Sequence, residues 1–387
     1  MRILIVYDCL FPYTIGGGER WYRNLAERLA ADGHEVTYLT LRQWDRGVSP
    51  ELPGASVRVA GPRMALYTGD RRRIAPPLVF GAGVLWHLLR HGGRYDVVHT
   101  ASFPFFSLLA AALVRPVRRY GLVVDWFELW SRAYWRDYLG AAGGRVGWAV
   151  QKLCLRVPQR AFTLARSTAE RLRAEGVHGE VEVLTGLQEL PPAAGAPHAA
   201  QPLVVFVGRH IPEKRAPALV RGFAALRDEA PELRLVVFGD GPERGEVLRL
   251  IDELGLGDVA SAPGFVDRAD LEQTLASALC MVLPSRREGY GMVVVEASAR
   301  GVPSIVVADP DNAATELVDE GDNGFVAASA EPRDIAAAIL RVRAAGAPLR
   351  ASTAAWFERN RGRLSLSSSL DLVAAAYADP RRAIARS

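Results

Sequence analysis

The sequence predicts two α/β domains in tandem, each a parallel sheet doubly wound with helices. Three observations carry that reading. Short apolar runs of strand length alternate with amphipathic segments of helix length. The alternation breaks once, at Leu190-Pro191-Pro192-Ala193-Ala194-Gly195-Ala196-Pro197-His198-Ala199-Ala200-Gln201-Pro202, and then restarts. Finally, 387 residues are too many for one ordinary core and suit two of similar size.

In the first domain, 1–190, strands are expected at Arg2–Tyr7, Glu35–Leu41, Val57–Gly61, Asp96–Thr100, Leu122–Phe127, Ala161–Ala165 and Val181–Thr185. Helical segments such as Gly17–Asp32, Leu78–His91 and Ser167–Glu175 lie between them. Strands this short and apolar fit a sheet covered on both faces. Residues 191–202 form a linker, because four prolines among alanines hold neither a helix nor a central strand. The second domain, 203–363, repeats the pattern at Leu203–Val207, Leu233–Phe238, Val259–Phe265, Cys280–Pro284, Ser304–Ala308 and Gly324–Val326. A last helix within 364–387 is expected to pack back on the first domain. In such sheets ligands sit beyond the carboxyl ends of the strands, at the point where strand order reverses.

Composition excludes several classes. At 49% hydrophobic and 23% charged residues the chain is neither collagenous, nor a coiled-coil rod, nor disordered. Cys9, Cys154 and Cys280 lie far apart, which excludes a disulfide scaffold and a cysteine zinc site. Asp8 interrupts the first apolar run too early for a signal peptide, and the uncharged stretch from Val97 to Val114 holds His99, Pro104 and two serines. A cytoplasmic protein is expected. Residues 1–190 carry 25 Lys and Arg against 17 Asp and Glu, and the remainder 22 against 26. A basic first half suits an anionic partner: a phosphate ligand, or an anionic membrane face met through Arg71-Arg72-Arg73 and Arg115, Arg118 and Arg119. No nucleic-acid-binding motif accompanies the charge.

Three loops carry chemistry. Gly16-Gly17-Gly18-Glu19 follows the first strand and opens a helix, where glycines admit a close ligand and free N–H groups favour an anion. It is not a dinucleotide fingerprint, since Trp21 stands where the last glycine belongs. Gly208-Arg209-His210-Ile211-Pro212-Glu213-Lys214 follows the first strand of the second domain. Arg209 can fork two phosphate oxygens while Lys214 supplies a point charge, and Lys214 is one of only two lysines in the chain. The third block is Pro284-Ser285-Arg286-Arg287-Glu288-Gly289-Tyr290-Gly291, with Glu296 eight positions beyond Glu288. If helical throughout, that interval is about 12 Å, the reach from the sugar to the ribose of a nucleoside diphosphate sugar.

In this order the motifs resemble the retaining GT-B glycosyltransferases of glycosyltransferase family four. The resemblance spans nearly the whole chain: the Gly-Gly turn, Gly-Arg-x5-Lys, Gly239-Asp240-Gly241-Pro242, Gly264-Phe265-Val266 and Glu-x7-Glu. It implies two Rossmann-like domains facing across a cleft. It further implies that Arg209, Lys214 and Glu288 are catalytic, the first two neutralising the donor diphosphate and Glu288 holding the sugar. Glu296 would take the ribose, Gly264 and Phe265 would flank the base, and Gly16, Gly17, Gly208, Gly289, Tyr290 and Gly291 would line the donor. Asp125, Trp126, Glu128 and Trp130 become acceptor-side candidates. The implied partners are a nucleotide-sugar donor and an acceptor hydroxyl, with no metal and no cofactor. The sequence departs from the family pattern in two places. Phe127 stands where a histidine touching the donor sugar is usual, and Thr185-Gly186 replaces Asn-Gly before the linker. A nucleotide-sugar epimerase or sugar phosphorylase on the same fold, or a non-catalytic nucleotide-sugar sensor, stays open at this point.

Two further patterns are set aside. Asp309-Pro310-Asp311 reads as a turn, not a metal motif, and His87 with His91 as a helix end. Trp126, Trp130, Tyr134 and Tyr138 are spaced as a helical aromatic stripe, expected to pack a core or to wall an acceptor.

Overall fold

The computed structural model describes residues 1–68, 71–187, 189–190 and 200–378; positions 191–199 of the expected linker lie outside that set. The chain divides into two compact units, Glu189–Leu364 and the remainder, Met1–Gln188 together with the chain from Ser365 onward.

The first unit is built on seven strands: β1 (Arg2–Val6), β2 (Glu35–Leu41), β3 (Ala55–Gly61), β4 (Val97–Ala101), β5 (Gly121–Trp126), β6 (Arg160–Thr163) and β7 (Val181–Val183). All pair in parallel, in the order β3-β2-β1-β4-β5-β6-β7. Every residue of β4 and β5 is buried, His99, Thr100 and Asp125 included, whereas no residue of the edge strand β3 is. Helix α1 (Gly17–Ala31) buries Trp21, Tyr22, Leu25, Ala26 and Leu29, one face at helical spacing. Helices α2 (Ala75–His91), α3 (Phe105–Arg118), α4 (Arg132–Leu155) and α5 (Arg166–Ala174) follow in order. Right-handed crossovers from β3 to β4, β4 to β5 and β5 to β6 place α2, α3 and α4 on one side of the sheet and α1 on the other. Accordingly α2 packs on α3, and α3 on α4.

Helix α4 is two helices. Gly140, at φ 76° and ψ 178°, breaks it, and the first piece folds back so closely that a Cβ on Gly147 would lie 2.4 Å from the Trp135 ring. Only glycine meets both demands cheaply.

The second unit holds β8 (Leu203–Val207), β9 (Arg234–Phe238), β10 (Ala260–Gly264), β11 (Cys280–Leu283), β12 (Ser304–Val307) and β13 (Gly324–Ala327). These too are all parallel, in the order β10-β9-β8-β11-β12-β13. Helices α6 (Ala216–Ala225), α7 (Arg244–Glu253), α8 (Arg268–Ser277), α9 (Met292–Ser298) and α10 (Pro332–Leu364) cover it. Both sheets reverse order beside their first strand, between β1 and β4 and between β8 and β11, and each reversal opens a crevice beyond the strand ends. Observed strands sit within two residues of the expected runs.

The last helix, α11 (Leu366–Ala378), lies on the first unit. Asp371 meets Arg28 at 2.6 Å, Ser369 Oγ accepts from the Gly186 N–H at 3.0 Å, and the Tyr377 hydroxyl reaches His99 Nδ1. Among the described residues, no helix is long and apolar enough to cross a membrane.

Candidate active site

In the second unit, three loops meet where the carboxyl ends of β8, β11 and β12 lie side by side. The loop after β8 is fixed by backbone. Gly239, at φ 110°, passes so close that a Cβ there would stand 1.9 Å from the Gly208 carbonyl oxygen. His210 is fully buried; its N–H donates to Asp240 O at 2.9 Å and its carbonyl accepts from the Glu243 N–H at 2.9 Å. Burial pushes the His210 imidazole below its usual pKa, so it is a neutral wedge in the turn. The residue before it, Arg209, is thereby turned out. Its guanidinium is exposed and has no partner among the described residues.

Lys214 ends a short 3₁₀ turn, and its ammonium pairs with Glu288 Oε1. The same carboxylate oxygen accepts from Ser285 Oγ at 2.8 Å. Lys214 keeps 20% of its side-chain surface and Glu288 only 9%, so the pair is largely desolvated. Asn312 secures the floor by donating to Ser285 O at 3.1 Å and Val307 O at 2.8 Å. The Arg286 N–H donates to Glu213 O at 2.8 Å, and Arg215 meets Asp309 at 3.4 Å. Backbone and side-chain bonds thus join all three loops around one lysine and one carboxylate.

Glu288 and Glu296 do not share a helix, so the spacing of about 12 Å that holds only for a helical interval does not apply. Glu288 lies in a two-residue parallel ladder, Arg287–Glu288 against Asp311–Asn312, and α9 begins only at Met292, after Gly291 in the left-handed region. Glu296 alone is helical. It is half-buried, and it lies within electrostatic reach of Arg268, which is itself 2.7 Å from Glu272. The Tyr290 side chain is 6% exposed and burial pushes its phenol pKa up, so the part expected of Gly289-Tyr290-Gly291 falls to their backbone N–H groups, with Gly289 half-buried. Gly264 ends β10, and the next residue, Phe265, is 79% exposed, an unusual setting for a phenylalanine.

The first unit carries its own cluster. Gly16 caps α1 in extended conformation, and Gly17 is the first helical residue. A Cβ on Gly18 would lie 2.7 Å from the Tyr7 hydroxyl and 3.5 Å from the Phe127 ring, so this turn packs against the end of β1 and the residue after β5. Asp125 and Trp126 are 1% and 0% exposed, which removes both as direct acceptor contacts. Asp125 accepts from Trp21 Nε1 at 2.8 Å and lies 2.9 Å from His99 Nε2, while Trp126 donates to Gln159 at 2.8 Å. The first bond ties α1 to β5, and the last ties β5 to the residue before β6. Glu128 and Trp130 are half-buried, with Trp130 Nε1 donating to Glu128 at 2.8 Å. Nor do the four aromatics form one helical stripe. Trp126 ends β5, Trp130 precedes α4, and only Tyr134 and Tyr138 are helical; Trp130 meets them from the loop, at ring separations of 4.7 and 5.2 Å.

His87 hydrogen-bonds Tyr95 at 2.8 Å, and burial lowers its pKa to about 4. Asp309 accepts from the Asp311 N–H at 3.3 Å, a turn in keeping with its reading. Residues not singled out from sequence include Ser285, Asn312, His99 and Tyr377. The Pro284-Ser285 step and the asparagine closing Asp-Pro-Asp were legible as loop chemistry. Nothing local marks His99 and Tyr377, which are 278 positions apart.

Comparison with known proteins extends these observations. Residues 15–185 match the model of Glycosyltransferase Family 4, and residues 192–353 that of Glycosyl transferases group 1. The chain is 30% identical to D-inositol 3-phosphate glycosyltransferase of Thermomonospora curvata, over 88% of each chain. Its 30% identity to alpha-D-kanosaminyltransferase of Streptomyces kanamyceticus is confined to 37% of this chain and 36% of that one. Among solved structures it superposes on sucrose-phosphate synthase from Thermosynechococcus elongatus with a TM-score of 0.79 at 22% identity, covering 98% of both chains. Anabaena HepE in complex with UDP matches with a TM-score of 0.74 at 18% identity, covering 98% of this chain and 100% of that one. Two Rossmann-like units with the same strand order, each matched by one half of the same family's signature, place this chain in glycosyltransferase family 4 on the GT-B fold: it is a glycosyltransferase.

Proposed function

We propose that the chain moves a sugar from a nucleoside diphosphate donor to an acceptor hydroxyl, with retention at the anomeric carbon and without a metal ion. The observation that carries this reading is the Lys214–Glu288–Ser285 cluster at the strand-order reversal of the second unit, with Arg209 exposed on the same loop as Lys214. In the proposed complex, Arg209 and Lys214 bind the diphosphate, and their charge favours its departure. Glu288 accepts hydrogen bonds from sugar hydroxyls. Glu296 takes the ribose, Phe265 and the Gly264 backbone flank the base, and the backbones of Gly208 and of Gly289 to Gly291 border the phosphates. Within the first unit, the Gly16 and Gly17 backbone is the part suited to phosphate, and Glu128 and Trp130 are the acceptor-side residues that keep accessible surface.

In the proposed step the bond from the anomeric carbon to the diphosphate oxygen breaks as the acceptor oxygen bonds to the same face of that carbon. The acceptor proton passes to the departing phosphate. Phe127 fits this course, since no histidine base is required at its position. HepE is described with UDP and with UDP-glucose, so uridine nucleotides are the first donors to try.

The test is a donor panel read by nucleotide release with and without acceptors, in EDTA, followed by proton NMR of the product. An α-linked product from an α-linked donor is expected. A β-linkage would overturn retention, acceptor-independent release of free sugar would favour the epimerase, and a requirement for inorganic phosphate the phosphorylase.

A further inference from the structure

Helices α2 and α3 present an outer surface that the sugar chemistry does not use. On α2 the exposed positions Leu78, Ala82, Trp86 and Leu89 recur about every four residues, while Phe80, Val84 and Leu88 face the sheet. On α3, Leu113 and Val117 are 70% and 77% exposed. The two helices lie on the same side of the sheet and pack on each other, so their outward stripes are neighbours. Apolar side chains this exposed and this grouped mark an interaction surface.

The charge beside them has one sign. From position 71 to 119 the chain carries eight arginines and a single acid, Asp96, which is bound to Arg2. Neither helix contains an acidic residue. Arg90 stacks over Trp86 with its guanidinium carbon 3.9 Å from the ring, and Arg118 and Arg119 stand exposed beyond Val117. The Arg71 and Arg72 side chains lie outside the described residues. A tryptophan and two aliphatic side chains ringed by arginines complement the headgroup region of an anionic bilayer, where apolar groups enter and guanidinium groups remain with phosphate. A second copy of the chain is a poorer partner, because a two-fold interface would bring arginines against arginines.

We propose that the α2–α3 face docks on an anionic lipid surface, with Trp86, Leu113 and Val117 entering the bilayer interface and Arg90, Arg118 and Arg119 engaging the headgroups. This is independent of which sugar is transferred. The experiment is flotation of the full chain with phosphatidylcholine vesicles with and without phosphatidylglycerol, at low and high salt. Binding to the anionic vesicles alone is expected, falling at least tenfold in molar salt as the Debye length shrinks to about 3 Å. Arg90→Gln should weaken it about fivefold. The pair Leu113→Ser with Val117→Ser should weaken it roughly tenfold or more while leaving melting temperature and nucleotide affinity unchanged. Equal binding to both vesicles, none to either, or full binding by the serine pair would overturn the proposal. So would a concentration-dependent dimer in sedimentation that the serine pair dissolves, which would assign the face to self-association.

Discussion

Replacing Glu288 by Gln should move nucleotide affinity and turnover in opposite directions. The Lys214 ammonium is held by Glu288, with 20% and 9% of the two side chains exposed. Removing one partner of a fully buried pair costs about 3–5 kcal/mol, and of an exposed pair about 0–1. This pair lies between, and the amide oxygen of the introduced glutamine can still accept from Ser285, so a loss of about 2 kcal/mol is expected. For a unit of this size that lowers the transition containing it by roughly 4–8 °C. Lys214 is released at the same time. A lysine no longer shared with a carboxylate should bind a nucleoside diphosphate about fivefold more tightly, a gain of roughly 1 kcal/mol. Turnover of the sugar donor should nevertheless fall about a hundredfold, because the carboxylate assigned to the sugar is gone. Scanning fluorimetry, calorimetry with UDP and a nucleotide-release assay read the three quantities separately. Weaker UDP binding by the Glu288→Gln variant would refute the claim that Glu288 competes for Lys214. Unchanged turnover would refute its role at the sugar.

Lys214→Ala and Arg209→Ala should each lower kcat/KM by about two to three powers of ten, since each removes a charged contact to the leaving diphosphate. Arg209→Ala should not change the melting temperature, because its guanidinium has no partner among the described residues; a large drop would show a structural role instead. Glu296→Gln should weaken UDP and UDP-sugar by the same factor, roughly 10-fold, and unequal losses by calorimetry would remove it from the ribose. Tyr377→Phe leaves buried His99 without its hydroxyl partner and should cost about 1–2 kcal/mol. That loss should show as a lower melting temperature with UDP affinity intact; reduced UDP affinity would show that α11 acts beyond the first unit.

What the sequence alone determined is whatever periodicity and local chemistry encode. Strands buried on both faces are predominantly apolar, so β1, β8 and β11 were readable as runs, as were β4 and β5 in spite of His99, Thr100 and Asp125, and their alternation with helices implied parallel sheets. Arg209, Lys214 and Glu288 were legible because each follows a strand, and the ends of parallel strands are where loops meet. Tertiary structure decided what those residues touch. No spacing rule pairs Lys214 with Glu288, 74 positions away, or His99 with Tyr377. Burial was equally invisible: Asp125, Trp126 and Tyr290 sit beside the expected motifs yet are buried, because both faces of β5 are covered and a turn at Gly291 redirects the chain. The same turn leaves Glu288 outside the helix that carries Glu296. Local sequence sets which backbone an element adopts, while the direction and exposure of its side chains depend on neighbours brought from elsewhere in the chain by the collapse that buries the apolar surface.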